Sequence, residues 1–309
     1  MKTIGLFDAD WIAFQMAAAV QQRVRWDDGL WTLELPEDVQ QIIDRFYFTH
    51  QINGIWNIEV NENELYRAID ARVEQLRKDI SCRKENVFMC ISGQYNWRKD
   101  VMHTYKSNRE ALVNKYISRP IILDIALEYI RQNYQVLENP RLEADDIMGI
   151  YATDPEFYGD PDYRKVIVTV DKDLKSVPAW HYTPDKDFSP WLQSVEEADK
   201  IYYIQWLMGD KTDGYDGCKG IGGGTAASMV DIPFIYVETL HEFKSGARKG
   251  QTETRWKKEP TDDLAEMVKS AYLKTGHSGE YCYQNGMVAR ILRHGEYCFD
   301  TNKLQFKPQ

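Results

Sequence analysis

Residues 141–149 read "RLEADDIMG", and the stretch packs Glu143, Asp145 and Asp146 into four positions. The chain then continues into apolar Ile147, Met148 and Ile150, which predicts a helix opening at about residue 143. Carboxylates at a helix start gain at most about 1 kcal/mol each from the helix dipole at exposed sites. That gain does not hold several like charges in one pocket, so the stretch calls for a further source of positive charge.

Working outward, the same motif recurs at the ends of other expected elements. "TIGLFD" (3–8) reads as a buried strand and runs into an Ala-rich helix over 11–20, leaving Asp8 and Asp10 at the junction. A strand delivered directly into a helix is an α/β signature. "KVIVTV" (165–170) is the clearest strand, and Asp171 and Asp173 follow it. "NVFMCIS" (86–92) is a further strand, and helices are expected over 62–80 and 121–132. "SVEEADKIYYIQWLMG" (194–209) predicts a helix with a Ser194–Glu197 capping box. Asp210 and Asp213 then open the Gly-rich loop 210–224. Residues 21 to about 40 read as a loop or hairpin, and two more helices are expected near 261–274 and 283–293.

Taken singly, each acidic cluster is more readily a helix cap or a turn former than a site. Four clusters converging on one predicted sheet edge are different, because open parallel sheets bind ligands outside the carboxyl ends of their strands. Divalent cations can hold such a set: Mg²⁺ takes hard oxygen ligands and keeps several waters. Two such ions about 4 Å apart can clamp a phosphodiester and activate a water for in-line attack. "GCKGIGGGTAASMV" (217–230) adds a glycine turn entering a helix. Gly222, Gly223 and Gly224 let backbone approach a ligand, and free amides at the helix start suit a phosphate, although a plain flexible turn reads the same way.

The composition sets the bounds. The 309 residues suffice for one large or two ordinary domains, and a 43% hydrophobic content supports a sizeable core. A net charge of −10 argues against nucleic acid unless the acids are concentrated at a metal site. Five cysteines with no CxxC pair argue against a disulfide framework or structural zinc and favour a reducing, cytoplasmic compartment. Neither a signal peptide nor a bilayer-spanning run is evident, so no membrane partner is expected.

The combined motifs resemble the 5′-nuclease (flap endonuclease) superfamily, within it the 5′→3′ exonucleases of T-seven-like podophages. The residues carrying the resemblance are "DADW" (8–11), "NWRKD" (96–100), "YKSNR" (105–109), "LEADDIMG" (142–149), "DKDLK" (171–175), "GDKTDGY" (209–215), "GIGGGTA" (220–226) and "MVARILRHGEY" (287–297), in order over nearly the whole chain. The resemblance implies a PIN-like α/β nuclease core with a parallel-rich sheet over 1–208. It places an insertion at about 40–85 and a bridge over the active site at about 95–120. It implies a helix-two-turn-helix DNA-binding part and further helices over 209–309. It implies two Mg²⁺ ions, with Mn²⁺ able to substitute. Asp8, Glu143 and Asp145 would hold the first ion; Asp146, Asp171, Asp173, Asp210 and Asp213 would surround the second. Lys106 and Arg109 match the bridge residues that approach the scissile phosphate. Lys219, Gly220, Gly222, Gly223, Gly224 and Thr225 fall in the backbone-gripping hairpin, which in relatives also holds a monovalent cation such as K⁺. The implied activity is hydrolysis of duplex DNA from a 5′ end, with flap or RNA–DNA hybrid cleavage compatible.

The stretch 95–119 mixes aromatics with basic residues, which fits base stacking and phosphate contact by Arg98, Lys99 and Tyr105, or a solvated surface segment; a second basic stretch, 244–258, fits contact with the duplex beyond the hairpin or a solvated loop equally well. One position departs from the family: relatives place an Asp after the second strand where this chain has Gly93, beside Ser92. Two rival readings remain. A haloacid-dehalogenase-type phosphatase would use Asp8 as nucleophile but leaves "LEADD" and "GIGGGTA" without a role. A non-catalytic DNA-binding protein rests on Gly93 alone.

Overall fold

The computed structural model describes residues 2–20, 48–52, 55–58, 62–107, 120, 122–159 and 163–308. β1 (Lys2–Asp8) is buried from Thr3 onward and passes directly into α1 (Ala9–Val20). A small antiparallel hairpin, β2 (Phe48–Ile52) and β3 (Ile55–Ile58), precedes α2 (Glu62–Asp79). Then come β4 (Val87–Ile91), the short α3 (Arg98–Val101), α4 (Leu123–Asn133), β5 (Gln135–Glu138), α5 (Ala144–Thr153) and β6 (Tyr163–Val168). β7 (Trp180–Tyr182), β8 (Trp191–Leu192) and α6 (Val195–Met208) lead to α7 (Gly223–Asp231). The chain continues through a long hairpin, β9 (Phe234–Glu242) and β10 (Thr252–Pro260), and then α8 (Leu264–Lys274) and α9 (Gly279–Val288). The short pair β11 (Tyr297–Cys298) and β12 (Lys303–Leu304) follows. The expected bridge at 95–120 and insertion at 40–85 lie only partly within the described residues, and Arg109 lies outside them.

The central sheet has the order β5-β4-β1-β6-β7-β8 and is parallel except where β8 meets β7. The chain works outward from β1 to β4 and β5, then returns to lay β6 on the other side of β1. This reversal opens a crevice beyond the carboxyl ends of β1 and β6, where parallel sheets take ligands. Burial on both faces explains why the inner strands are almost wholly apolar. Their alternation still sorts the faces: Phe7, Val87, Met89, Ile91, Val166 and Val168 pack with α1, α2 and α4. Ile4, Leu6, Phe88, Cys90 and Ile167 pack with α5 and with Met287, Ile291 and Leu292.

That last group crosses the expected boundary at 208/209, since the segment after α9 returns to the sheet. A buried ion pair joins them. Asp146, fully buried on α5, accepts two 2.8 Å bonds from the Arg98 guanidinium, one to each carboxylate oxygen. Trp97 Nε1 and the Leu292 amide donate to the remaining acceptor positions at 3.0 and 3.1 Å. Arg98 also donates to the carbonyls of Val288 and Arg290. One guanidinium thereby ties α3, α5 and the end of α9 together with bidentate, charge-assisted bonds.

A third core cluster joins α6, α7, α8 and α9 around Trp206 and Tyr272, and includes Met102 and Tyr105. α6 carries the expected capping box, with both reciprocal bonds present. It ends at Gly209, which packs backbone to backbone against Gly217: a Cβ on either would lie 2.3 Å from the other's nitrogen. Both have positive φ, 69° and 68°, which only glycine adopts at little cost. The tight return lets Asp210 bridge to Tyr215, fixing the acidic loop at the crevice.

Several elements differ from expectation. The strand expected over 165–170 stops at Val168. The basic stretch 244–258 is the tip and second strand of the β9–β10 hairpin, whose almost wholly exposed β10 hides its period. The last helix begins at Gly279, where Ser278 accepts the Tyr281 amide as its cap, and ends at Val288. β5, β7 and β8 are too short to show a pattern. Among the described residues no helix is long and apolar enough to cross a membrane.

Removing one partner of a buried ion pair leaves the other charge unpaired. Asp146→Ala should therefore lower the unfolding free energy by roughly 3–5 kcal/mol in urea denaturation. A loss below about 1 kcal/mol would show that Arg98 finds solvent and that the pair does not hold the segment after α9.

Candidate active site

The crevice holds a cleft of about 410 Å³ lined by Asp8, Asp10, Glu143, Asp145, Asp171, Asp173, Asp210 and Asp213, with Lys106, Tyr105 and Ser92. Four separate chain segments deliver these acids. Asp8 ends β1; its Oδ1 accepts the Trp11 amide at 3.1 Å and its Oδ2 the Thr169 hydroxyl at 3.0 Å. Thr169 lies just beyond the early end of β6, a supporting role that the sequence reading missed. Asp171 caps the short helical turn 172–176 by accepting the Asp173 amide at 2.8 Å. Asp210 accepts the Thr212 amide at 2.7 Å.

The stretch 143–146 divides its acids between two tasks. Successive helical residues point about 100° apart, so Asp145 lines the cleft while Asp146 turns inward. Glu143 occupies the N-cap position in extended conformation without capping through its side chain. Ser92 Oγ accepts the first helical amide, Ala144 N, at 2.9 Å instead, freeing Glu143 to reach the cleft. There Lys106 Nζ donates to Oε1, and Arg98 Nη1 and Tyr105 OH each donate to Oε2 at 3.2 Å. Tyr105 OH also lies 3.0 Å from Asp213 Oδ2, so its single proton is shared between the two carboxylates, and Lys106 Nζ lies 3.8 Å from that oxygen. Lys106 itself has a φ of 57°, a left-handed backbone held by its amide's 2.7 Å bond to the Asp213 carbonyl.

Three expected roles need correction. Asp146 cannot join a second ion, because it is fully buried and its oxygens are taken by Arg98, Trp97 and Leu292. Arg98, only 2% exposed, is spent on Asp146, Glu143 and two carbonyls and offers nothing to DNA. Tyr105, 3% exposed, has its ring in the third core cluster and is unavailable for stacking a base; its hydroxyl steers carboxylates. Lys99 is exposed, as are Lys219, Gly220, Gly222, Gly223, Gly224 and Thr225 at the start of α7. A Cβ on Gly220, Gly222 or Gly224 would meet nothing within 4 Å, so no packing inside the protein demands these glycines.

Gly93 is tightly confined. Its amide donates to the Leu142 carbonyl at 2.8 Å, and a Cβ there would lie 2.1 Å from the Asn139 oxygen and 2.6 Å from Pro140 C. Both obstacles are backbone, so Gly93→Asp would have to displace the turn that delivers Glu143 and Asp145.

The electrostatics separate the acids sharply. Burial pushes the Asp8 carboxyl up to about 7, with the charges of Asp10 and Asp171 adding to it. Burial and then the charges of Asp8, Asp171 and Glu143 raise Asp145 well above the usual range. Burial and Asp171 bring Asp173 to about 6. Burial would raise Glu143 too, but the Lys106 and Arg98 charges outweigh it and hold its carboxyl below the ordinary value. The protein's own cations thus serve Glu143 first: Lys106 offsets only a small part of what raises Asp145, and the charges acting on Asp8 are those of other acids. Among the described residues no three acids already converge as a closed ion cage. An open ring of oxygen donors around a wet cleft suits Mg²⁺, which keeps several waters, and the uncompensated charge marks where a cation is wanted.

Comparison with known proteins agrees with this geometry. Residues 38–183 match the family described as 5′-3′ exonuclease, N-terminal resolvase-like domain. The chain is 30% identical to the exonuclease of Escherichia phage T7 over 96% of its own length and 91% of that protein. It is 29% identical to the exodeoxyribonuclease of Enterobacteria phage T3, over 96% and 89% respectively. In fold it is similar to a phage T5 protein crystallised with metal ions, with a TM-score of 0.55 at 10% identity, covering 94% of this chain and 90% of that one. An edge of carboxylates at the switch point of this sheet, and sequence relatives aligned over nearly their full length, lead to one conclusion: the chain belongs to the family of 5′-3′ exonucleases, and is a hydrolase of that type.

Proposed function

We propose that this protein is a Mg²⁺-dependent 5′→3′ exonuclease that hydrolyses duplex DNA from its 5′ end. The observation that carries the reading is the desolvated pair Asp8 and Asp145, whose burial and acidic neighbours outweigh the one cation acting on them, Lys106 on Asp145, in a cleft ringed by further acids. Asp8, Glu143 and Asp145 would hold one ion and Asp171, Asp173, Asp210 and Asp213 a second. Bound there, the ions would supply an activated water and stabilise charge on the phosphate and the departing oxygen.

The chain's own residues do the rest. Lys106, poised over Glu143, brings an ammonium to the phosphate entering the cleft. The Tyr105 hydroxyl, kept protonated by burial, fixes the orientation of Glu143 and Asp213 together. The α6–loop–α7 unit acts as a helix-two-turn-helix: the open glycines at the start of α7 let a DNA backbone reach its free amides. Phage T5 flap endonuclease, similar in fold with a TM-score of 0.50 at 13% identity over 73% of this chain and 80% of that one, has been crystallised with DNA and metal ions, which is consistent with this reading. The same cleft would accept a flap or an RNA–DNA hybrid strand. The setting would be phage DNA replication, recombination or host DNA degradation in the host cytoplasm.

Asp145→Asn and Asp171→Asn should each abolish most cleavage of end-labelled duplex while retaining the circular dichroism of the parent; full activity in both would remove the two-ion assignment. Lys106→Ala should reduce turnover much more than duplex affinity, and equal losses would make Lys106 a positioning group only.

The raised carboxyls also fix a pH dependence for the metal-free protein. Asp8 titrates near 7 when folded and near 3.8 when unfolded, so between these values the folded state holds the extra proton. Its stabilising contribution is complete below pH 3.8 and is lost as pH rises through about 7. The melting temperature of the metal-free protein should therefore fall between pH 5 and pH 8 as far as this group governs it. Adding Mg²⁺ at pH 8 should restore it. A melting temperature indifferent to Mg²⁺ at pH 8 would contradict the ion site.

A further inference from the structure

Asp10 has no role in the account so far, yet it lines the cleft beside Asp8, Glu143 and Asp145. It lies two residues beyond Asp8, and Ser92 lies two beyond Cys90, the residue paired with Asp8 in the neighbouring parallel strand. Across this gap the Ser92 amide donates to Asp10 Oδ2 at 3.0 Å. Ser92 Oγ is itself fixed by the first amide of α5. The carboxylate of Asp10 is thereby drawn from the end of β1 to a place just past the end of β4.

Two facts make this arrangement more than a turn. Asp10 makes no ion pair with a Lys or Arg among the described residues, and it shares the cleft with the acids Asp8, Glu143 and Asp145. A half-buried carboxylate among carboxylates is costly unless a cation is bound nearby. Moreover, the end of β4 supplies no acid of its own: Ser92 is neutral, and Gly93 faces the Asn139–Pro140 backbone too closely to carry any side chain.

We infer that Asp10 is a metal ligand of this chain, completing the group of Asp8, Glu143 and Asp145 with the carboxylate that the end of β4 does not provide. The inference rests on the cleft being an ion site. Ser92 is its positioning residue, holding one oxygen and leaving the carboxylate turned into the cleft.

The test is Mn²⁺ binding to the full-length protein without DNA, followed by isothermal titration calorimetry and by the electron paramagnetic resonance of free Mn²⁺. Asp10→Asn keeps the size of the side chain and an acceptor for the Ser92 amide. It should weaken Mn²⁺ binding by roughly tenfold or more, while the metal-free melting temperature stays level or rises as repulsion is relieved. Asp10→Ser, read the same way, guards against a fold defect peculiar to one substitution. Asp145→Asn serves as the control. If Asp145→Asn weakens Mn²⁺ binding and neither Asp10 variant does, Asp10 is a structural tie to Ser92 and the inference is overturned. If Asp145→Asn also binds Mn²⁺ like the parent, the ion-site reading itself fails and the inference falls with it.

Discussion

Mutual repulsion among carboxylates is the constraint on which the rest of this structure depends. The end of β1, the start of α5, the turn after β6 and the loop after α6 all bring acids to one cleft. Burial makes their charges harder to bear. Such a constellation would spread apart if it rode on mobile loops. Here Asp8, Asp171 and Asp210 are fixed at element boundaries by backbone amides or a hydroxyl, and the parallel sheet behind them supplies the stiffness.

The protein's cations are distributed to support this. Arg98 is buried where its charge steadies Asp146 and Glu143 and its remaining donors clasp the segment after α9. Lys106 reaches the same Glu143 from a left-handed backbone position pinned to Asp213. Glu143 thus stays ionised, whereas Asp8 and Asp145 share an electrostatic vacancy that an external cation can fill. A chain with a net charge of −10 can handle a polyanion on these terms, since much of its acidity is committed to the cleft and basic side chains such as Lys99 and Lys219 stay exposed.

Much of this was legible in the residues. β1 and β6 announce themselves as apolar runs ending near acids, β4 as an apolar run alone, and the Ser194–Glu197 box marks α6 to the residue. The cleft residues could be listed because element ends and parallel-sheet topology together predict one edge. What failed was orientation. Asp145 and Asp146 are adjacent and chemically alike, and only the rotation of a helix separates cleft from core. Arg98 and Tyr105 were read outward because composition reports charge and aromaticity but not burial. Thr169 and Ser92 carried no signal, since a hydroxyl that orients a carboxylate looks like any other. The β9–β10 hairpin was hidden by β10, whose charged residues read as a loop when their partner strand is unseen.

The measurement that bears most directly on the central claim is a digest of matched duplexes labelled at either the 5′ or the 3′ end, with and without Mg²⁺. The expected result is prompt Mg²⁺-dependent release of the 5′ label while the 3′-labelled strand shortens gradually. Intact strands in the presence of Mg²⁺, despite retained binding to the same duplex, would contradict it and leave the carboxylate cleft without its chemistry.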